Sequence, residues 1–191
     1  MANSPAASRN DNRLVLAQFL FAHGFGADAL GILKVMEQYD PEIANRPQFI
    51  ALRGACYYLM AQYDKAEQDI FSKMLDERSE ASLWRGVLFS LNEEWEMASN
   101  EFAKGESALS NFSAKIRARF LLESTRSAMK TENFDMLDQY LPVLAAAELV
   151  PKDRAEAELI RGQSLEIIGD EDGALDAYES ALGYGFRPTS V

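Results

Sequence analysis

The sequence predicts an all-α chain assembled from repeated helix pairs, and three observations carry that prediction. Apolar residues recur at intervals of three and four from Arg13 onward, the spacing that lines them along one side of a helix. No segment sustains an alternation of period two, and β-branched residues are sparse. Gly and Pro fall mostly between the periodic runs, at Gly24, Gly26, Pro41, Pro47, Pro151 and Pro188, stop signals roughly a helix apart.

Self-similarity sorts the helices into pairs. Three stretches align without gaps: LRGACYYLMAQYDKAEQDI from Leu52, WRGVLFSLNEEWEMASNEF from Trp84 and IRGQSLEIIGDEDGALDAY from Ile160. Each places Arg-Gly behind an apolar residue, then Ala at position 66, 98 or 174, then a larger apolar residue at Ile70, Phe102 or Tyr178. Weaker copies in the same phase run from Leu16-Ala17 to Ala29 and Leu33, and from Ser124-Thr125 to Leu137 and Leu141. The five copies are spaced by 37, 32, 39 and 37 residues. A mid-helix Gly costs about 1 kcal/mol relative to Ala. Three in phase therefore imply close approach of a neighbouring helix, with Gly54, Gly86 and Gly162 facing Ala66, Ala98 and Ala174.

Taken in order, residues 1–12 (MANSPAASRNDN) are small and polar and are expected to be disordered. One ordered domain follows at 13–188, with repeats near 13–41, 47–77, 79–110, 113–149 and 152–186. The first carries Leu16, Phe19, Leu20 and His23, then Leu30, Leu33 and Val35 or Met36. The second and third are the clearest copies. The fourth has Thr125 and Leu137 where small residues are expected, and Pro142 inside its second helix, which predicts a loosened or kinked unit. In the fifth, Asp170-Glu171-Asp172-Gly173 forms the turn and supplies negative charge to the start of the last helix. That helix presents Leu175, Tyr178 and Leu182 with no polar capping helix after it. Its face is expected to be covered by Phe186 or by a second copy of the chain in a homodimer, or left open by truncation.

A small residue in the first helix, an aromatic three later, Ala in the second and a large residue four beyond resemble the tetratricopeptide-repeat (TPR) motif. Gly54, Tyr57, Tyr63, Ala66 and Ile70 match best, and the first copy adds Ala29, Leu33 and Pro41. The resemblance covers 13–188 and implies a right-handed α-solenoid of about five repeats and about ten helices. The spacings mostly exceed the motif's period of about 34 residues. Linkers at Asp40–Pro47, Leu109–Ser113 and Leu149–Asp153 are therefore expected to be extended.

The resemblance also implies a function, binding of another protein as a scaffold or adaptor, with the first helix of each pair lining a concave surface. Phase projected from Ala17, Gly54, Gly86, Thr125 and Gly162 places Gln18, Phe21, Ala55, Tyr58, Leu83, Val87, Ser90, Leu122, Arg126 and Met129 on that surface. Leu14, Ala51, Leu159, Gln163 and Glu166 extend it. Such an apolar stripe suits a docked peptide or helix. The positions of the carboxylate clamp found in some TPR domains hold Gln18, Ala55, Val87 and Arg126, so no such clamp is expected. GACYYLMAQYDKAE is similar in style to type III secretion chaperones, and an accessory domain of a larger enzyme or secretion machinery is the other alternative.

Charge and reactive residues narrow the remaining classes. A formal net charge of −11 opposes phosphate neutralisation, so neither nucleic acid nor an anionic membrane is an expected partner. One cysteine, Cys56, forms no internal disulfide, and one histidine, His23, reads as a packing or C-terminal capping residue. Too few thiols and imidazoles are present for a site of that kind, so no metal or other cofactor is expected, and no constellation supports catalysis. The N-terminus lacks the pattern of a signal peptide, which points to the cytoplasm.

Overall fold

The turn inside each helix pair is the same five times over. Gly24, Ala61, Glu93, Glu132 and Gly169 all take the left-handed backbone conformation, with φ between 54° and 85°. The next residue in each, Phe25, Gln62, Glu94, Asn133 or Asp170, donates its N–H to the carbonyl five residues earlier at 2.9–3.0 Å. This closure satisfies carbonyls left open at a helix end. Three of the five turns make it without glycine, although a side chain costs about 1 kcal/mol in that conformation.

The computed structural model describes residues 5–184, with side chains from Arg9 onward. The turns join α1 (Pro5–Ala22) to α2 (Gly26–Tyr39), α3 (Pro47–Leu59) to α4 (Tyr63–Ile70), and α5 (Ser79–Leu91) to α6 (Trp95–Gly105). They likewise join α7 (Ala114–Lys130) to α8 (Phe134–Ala145), and α9 (Pro151–Ile167) to α10 (Glu171–Gly183). No strand occurs among the described residues. Short 3₁₀ turns at Pro41–Asn45, Lys73–Leu75 and Glu106–Asn111 fill the first three links between pairs. Pro47 and Pro151 sit in the first helical turn, where their missing N–H has no partner to lose. The Asn133 and Asp170 side chains cap α8 and α10, accepting from Met136 and Gly173 at 3.2 and 3.0 Å.

Three expectations need correction. Residues 5–12, read as disordered, form the first turns of α1, where the buried Asn10 donates to Asp40 at 3.2 Å and Arg13 lies over the Tyr39 ring. Residues 1–4 and 185–191, the latter including Phe186 and Pro188, lie outside the described residues. The fourth repeat is not interrupted: α8 runs through Pro142 to Ala145, and the Pro142 carbonyl still accepts from the Ala146 N–H at 3.3 Å. Thr125 fits in its first helix by donating to the Leu121 carbonyl at 2.6 Å while fully buried. The in-phase glycines face the large residues rather than the alanines. A Cβ on Gly54 would come within 2.9 Å of Ile70, and one on Gly86 within 2.8 Å of Phe102.

The arginines before two of those glycines tie neighbouring pairs together. Arg53 grips both carboxylate oxygens of Asp69 at 2.7 and 2.8 Å and reaches Glu37 on α2 at 3.2 Å. Arg85 donates to the Ile70 carbonyl at 3.2 Å and to Asp76 at 3.3 Å. The buried apolar residues form two main clusters. One runs from Ala17 through the first three repeats to Ile116 and Phe120; the other runs from Leu121 to Ile160. Helix α7 contributes to both.

Candidate functional site

The first helices α1, α3, α5 and α7 converge on an aromatic cluster. Trp84 of α5 packs against Phe21 of α1 at 5.9 Å between ring centroids, Tyr58 of α3 at 5.4 Å and Phe120 of α7 at 4.7 Å. Phe112, ahead of α7, joins through Phe120 at 4.9 Å. Winding is tight enough for the fourth repeat to touch the first. Ser113 Oγ donates to the Ala22 carbonyl at 2.8 Å, and Lys115 reaches the His23 carbonyl at 3.5 Å, across more than ninety residues of chain.

This winding decides which inner-face residues are available. Tyr58, Leu83, Val87, Ser90 and Leu122, expected to face a groove, are all buried, as is Phe21 at 7% exposure. Arg126 and Met129 are half-buried, and Gln18 is exposed. What remains open is a cleft of about 540 Å³ that brings Gln18, Phe21 and Ala55 together with residues not anticipated for it. Trp84 and Ile116 are among its apolar lining, and Gln48, Arg78 and Asn111 are among its polar lining. Ala51, projected onto this surface, lines it as well.

Farther along, the inner face turns polar. Glu123 accepts from Ser90 Oγ at 2.8 Å and from Arg126 at 2.6 Å, and Arg126 also donates to Glu156 of α9 at 2.6 Å. Burial pushes the Glu123 carboxyl up, and Arg126 and Ser90 only partly pull it back. Arg119 lies over the Tyr58 ring at 5.5 Å. These side chains satisfy one another across three repeats, which fits a structural brace.

The isolated reactive residues are accounted for by packing. Burial raises the Cys56 thiol to about 12, far from a reactive thiolate. His23 Nδ1 donates to the Phe19 carbonyl at 2.8 Å and its ring stacks on Phe19. That is the C-terminal capping role read from its position. Among the described residues no group of three or more His, Cys, Asp or Glu side chains could hold a metal, and no helix is long and apolar enough to cross a membrane.

No family model matches the chain, and no curated protein matches it. A solved structure, "MamA RS-1 ArsTM double mutant", matches with a TM-score of 0.59 over 96% of this chain and 97% of that one, at 16% sequence identity. The fold is a TPR-like helical solenoid. Within that TPR-like solenoid the Gly-to-large-residue contacts and the repeated turn are the structural counterpart of the motif read in the sequence. The likeness carries the fold and no particular partner.

Proposed function

We propose that this chain is a non-catalytic, cytoplasmic interaction module, a scaffold or adaptor that seats an extended segment of another protein in the cleft between α1, α3, α5 and the start of α7. The half-open cleft carries the reading: an apolar lining that includes Phe21 and Trp84 is bordered by Gln18, Gln48, Arg78 and Asn111. Protein-binding surfaces combine an apolar core with a polar rim, and this cleft has both. A cleft of about 540 Å³ accepts several side chains of an extended peptide more readily than a whole helix. Buried Trp84, Leu83 and Tyr58 are unsuitable probes, since changing them opens the core.

Half-buried Ala51 and exposed Gln18 are better placed. Partner recovery on immobilised wild type is compared with recovery on Ala51→Arg and Gln18→Arg, with helical content checked in each. Loss of the same partner from both variants supports the cleft. Undiminished recovery from both removes it as the contact surface.

A further inference from the structure

The first repeat exposes positions that later repeats bury, and the last exposes apolar side chains at positions that elsewhere contact the following repeat. Counting from the in-phase small residue of each first helix, the residue two before it is buried in the four later repeats, as Leu52, Trp84, Glu123 and Ile160. In the first repeat it is Val15, 64% exposed. The residue two after is buried as Cys56, Leu88 and Ser127, yet Phe19 in the first repeat is 57% exposed. Leu16, also exposed, holds the position from which Arg53 and Arg85 reach back to the preceding repeat at Glu37 and the Ile70 carbonyl.

The last helix shows the complementary gap. Leu182 occupies the position of Glu37, and Leu175 that of Glu67. In the interior, Glu37 meets Arg53 of the next repeat and Glu67 accepts from Asn92 of the next repeat. In the last repeat Leu182 and Leu175 are 61% and 58% exposed. Transferring the interior contacts to the two ends sets Leu182 against Leu16 and Leu175 against His23, with Phe19 between them on the same face of α1. An interior ion pair thus becomes an apolar pair at the ends. Charge agrees: residues 162–184 contain Glu166, Asp170, Glu171, Asp172, Asp176 and Glu179 with no Lys or Arg, while α1 carries Arg9 and Arg13 against Asp11.

We propose that a second copy of this chain docks head to tail, its α1 face of Val15, Leu16 and Phe19 continuing the solenoid on the α10 face of Leu175 and Leu182. The two surfaces differ, so the contact is heterologous and propagates into an open filament or closes into a ring instead of stopping at a two-fold dimer. It continues the repeat-to-repeat interface already present within the chain and is independent of the cleft.

Sedimentation velocity over a concentration series tests this with the 1–191 chain and the variants Phe19→Glu and Leu182→Glu, both at exposed sites and both checked for helical content. Wild type is expected to exceed the mass of a dimer at high micromolar concentration, while each variant alone stays at the 21.3 kDa protomer mass. An equimolar mixture of the two variants should give heterodimers and nothing larger, because it retains one intact face of each kind. A wild type that stays monomeric overturns the proposal, as it would if residues 185–191 or an unrelated protein cover α10. Phe19→Glu self-associating like wild type would indicate a two-fold contact through α10, and absence of heterodimer in the mixture also overturns it.

Discussion

Gly86 carries two opposed effects, and their balance is measurable. Replacing it with Ala gains about 1 kcal/mol of helix propensity. The added Cβ would lie 2.8 Å from the ring of Phe102, which is 1% exposed and has nowhere to move. Overpacking of that kind costs about 1–3 kcal/mol. Gly86→Ala should therefore lower the thermal midpoint, and Gly162→Ala should lower it less. Its Cβ would meet the Tyr178 ring even more closely, but that half-buried ring can swing away, giving up its hydrogen bond to Glu166. Equal losses from both would contradict the packing argument. Glu123 offers a second test at this scale. Its folded pKa is raised, so the native state keeps its proton at pH values where the unfolded chain, with Glu near about 4.3, has lost it. Native protons in excess mean that this group's contribution to stability falls as pH rises from that unfolded value through the raised folded one. Arg126, Arg119 and Glu156 face the same carboxyl and set how far the window extends. The midpoint of Glu123→Gln minus that of wild type should increase from about pH 4 to neutrality. A difference that shrinks over that range reverses the sign and removes the explanation.

At the scale of elements, the second helices do not bury equal side chains. Helix α2 buries Leu30, Leu33 and Met36, and α8 buries Leu137, Tyr140 and Leu144. Helix α10 buries Ala174, Ala177 and Ala181 and nothing larger. Burying a Leu side chain stabilises by about 1.5–3 kcal/mol, and an alanine methyl by far less. Native-state hydrogen exchange on dilute protein should find α10 the least protected of the second helices. Protection in α10 equal to that in α8 would show that something beyond these alanines holds it. The helices and their pairing were legible in the sequence because each depends on local spacing. The residues covering Gly54 and Gly86 were not: spacing pointed to the alanines, and packing places Ile70 and Phe102 there. The first turns of α1 were not, since Asn10 is buried by a partner thirty residues away, Asp40. Nor was the inner surface: helical phase selects a face, but burial of Tyr58, Val87 and Leu122 depends on how tightly successive pairs wind. Trp84 escaped notice as a cleft residue for the same reason.

Across the whole molecule, the division of the core makes cooperativity the open question. Repeat arrays hold together through neighbour-to-neighbour contacts, and weak internal boundaries let one part unfold before another. The boundary here falls within α7, with Phe120 in the first cluster and Leu121 in the second. The first cluster is the larger and contains the aromatic packing around Trp84, reinforced by Ser113 and Lys115 reaching back to the end of α1. The second ends at Ile160 of α9, against which α10 buries only alanines. Trp84 lies in the first cluster and the half-buried Trp95 in neither, so the fluorescence of a Trp95→Phe variant reports the first cluster while far-UV circular dichroism reports every helix. Denaturant titration should therefore show the circular dichroism signal declining before the fluorescence signal, with the early loss coming from α8 to α10. Coincident transitions would mean that α7, together with the Ser90–Glu123–Arg126–Glu156 chain that crosses the boundary, couples the two clusters into one cooperative unit. In that case Glu123→Gln should pull the two transitions apart, because it weakens the polar bridge while leaving the apolar clusters intact.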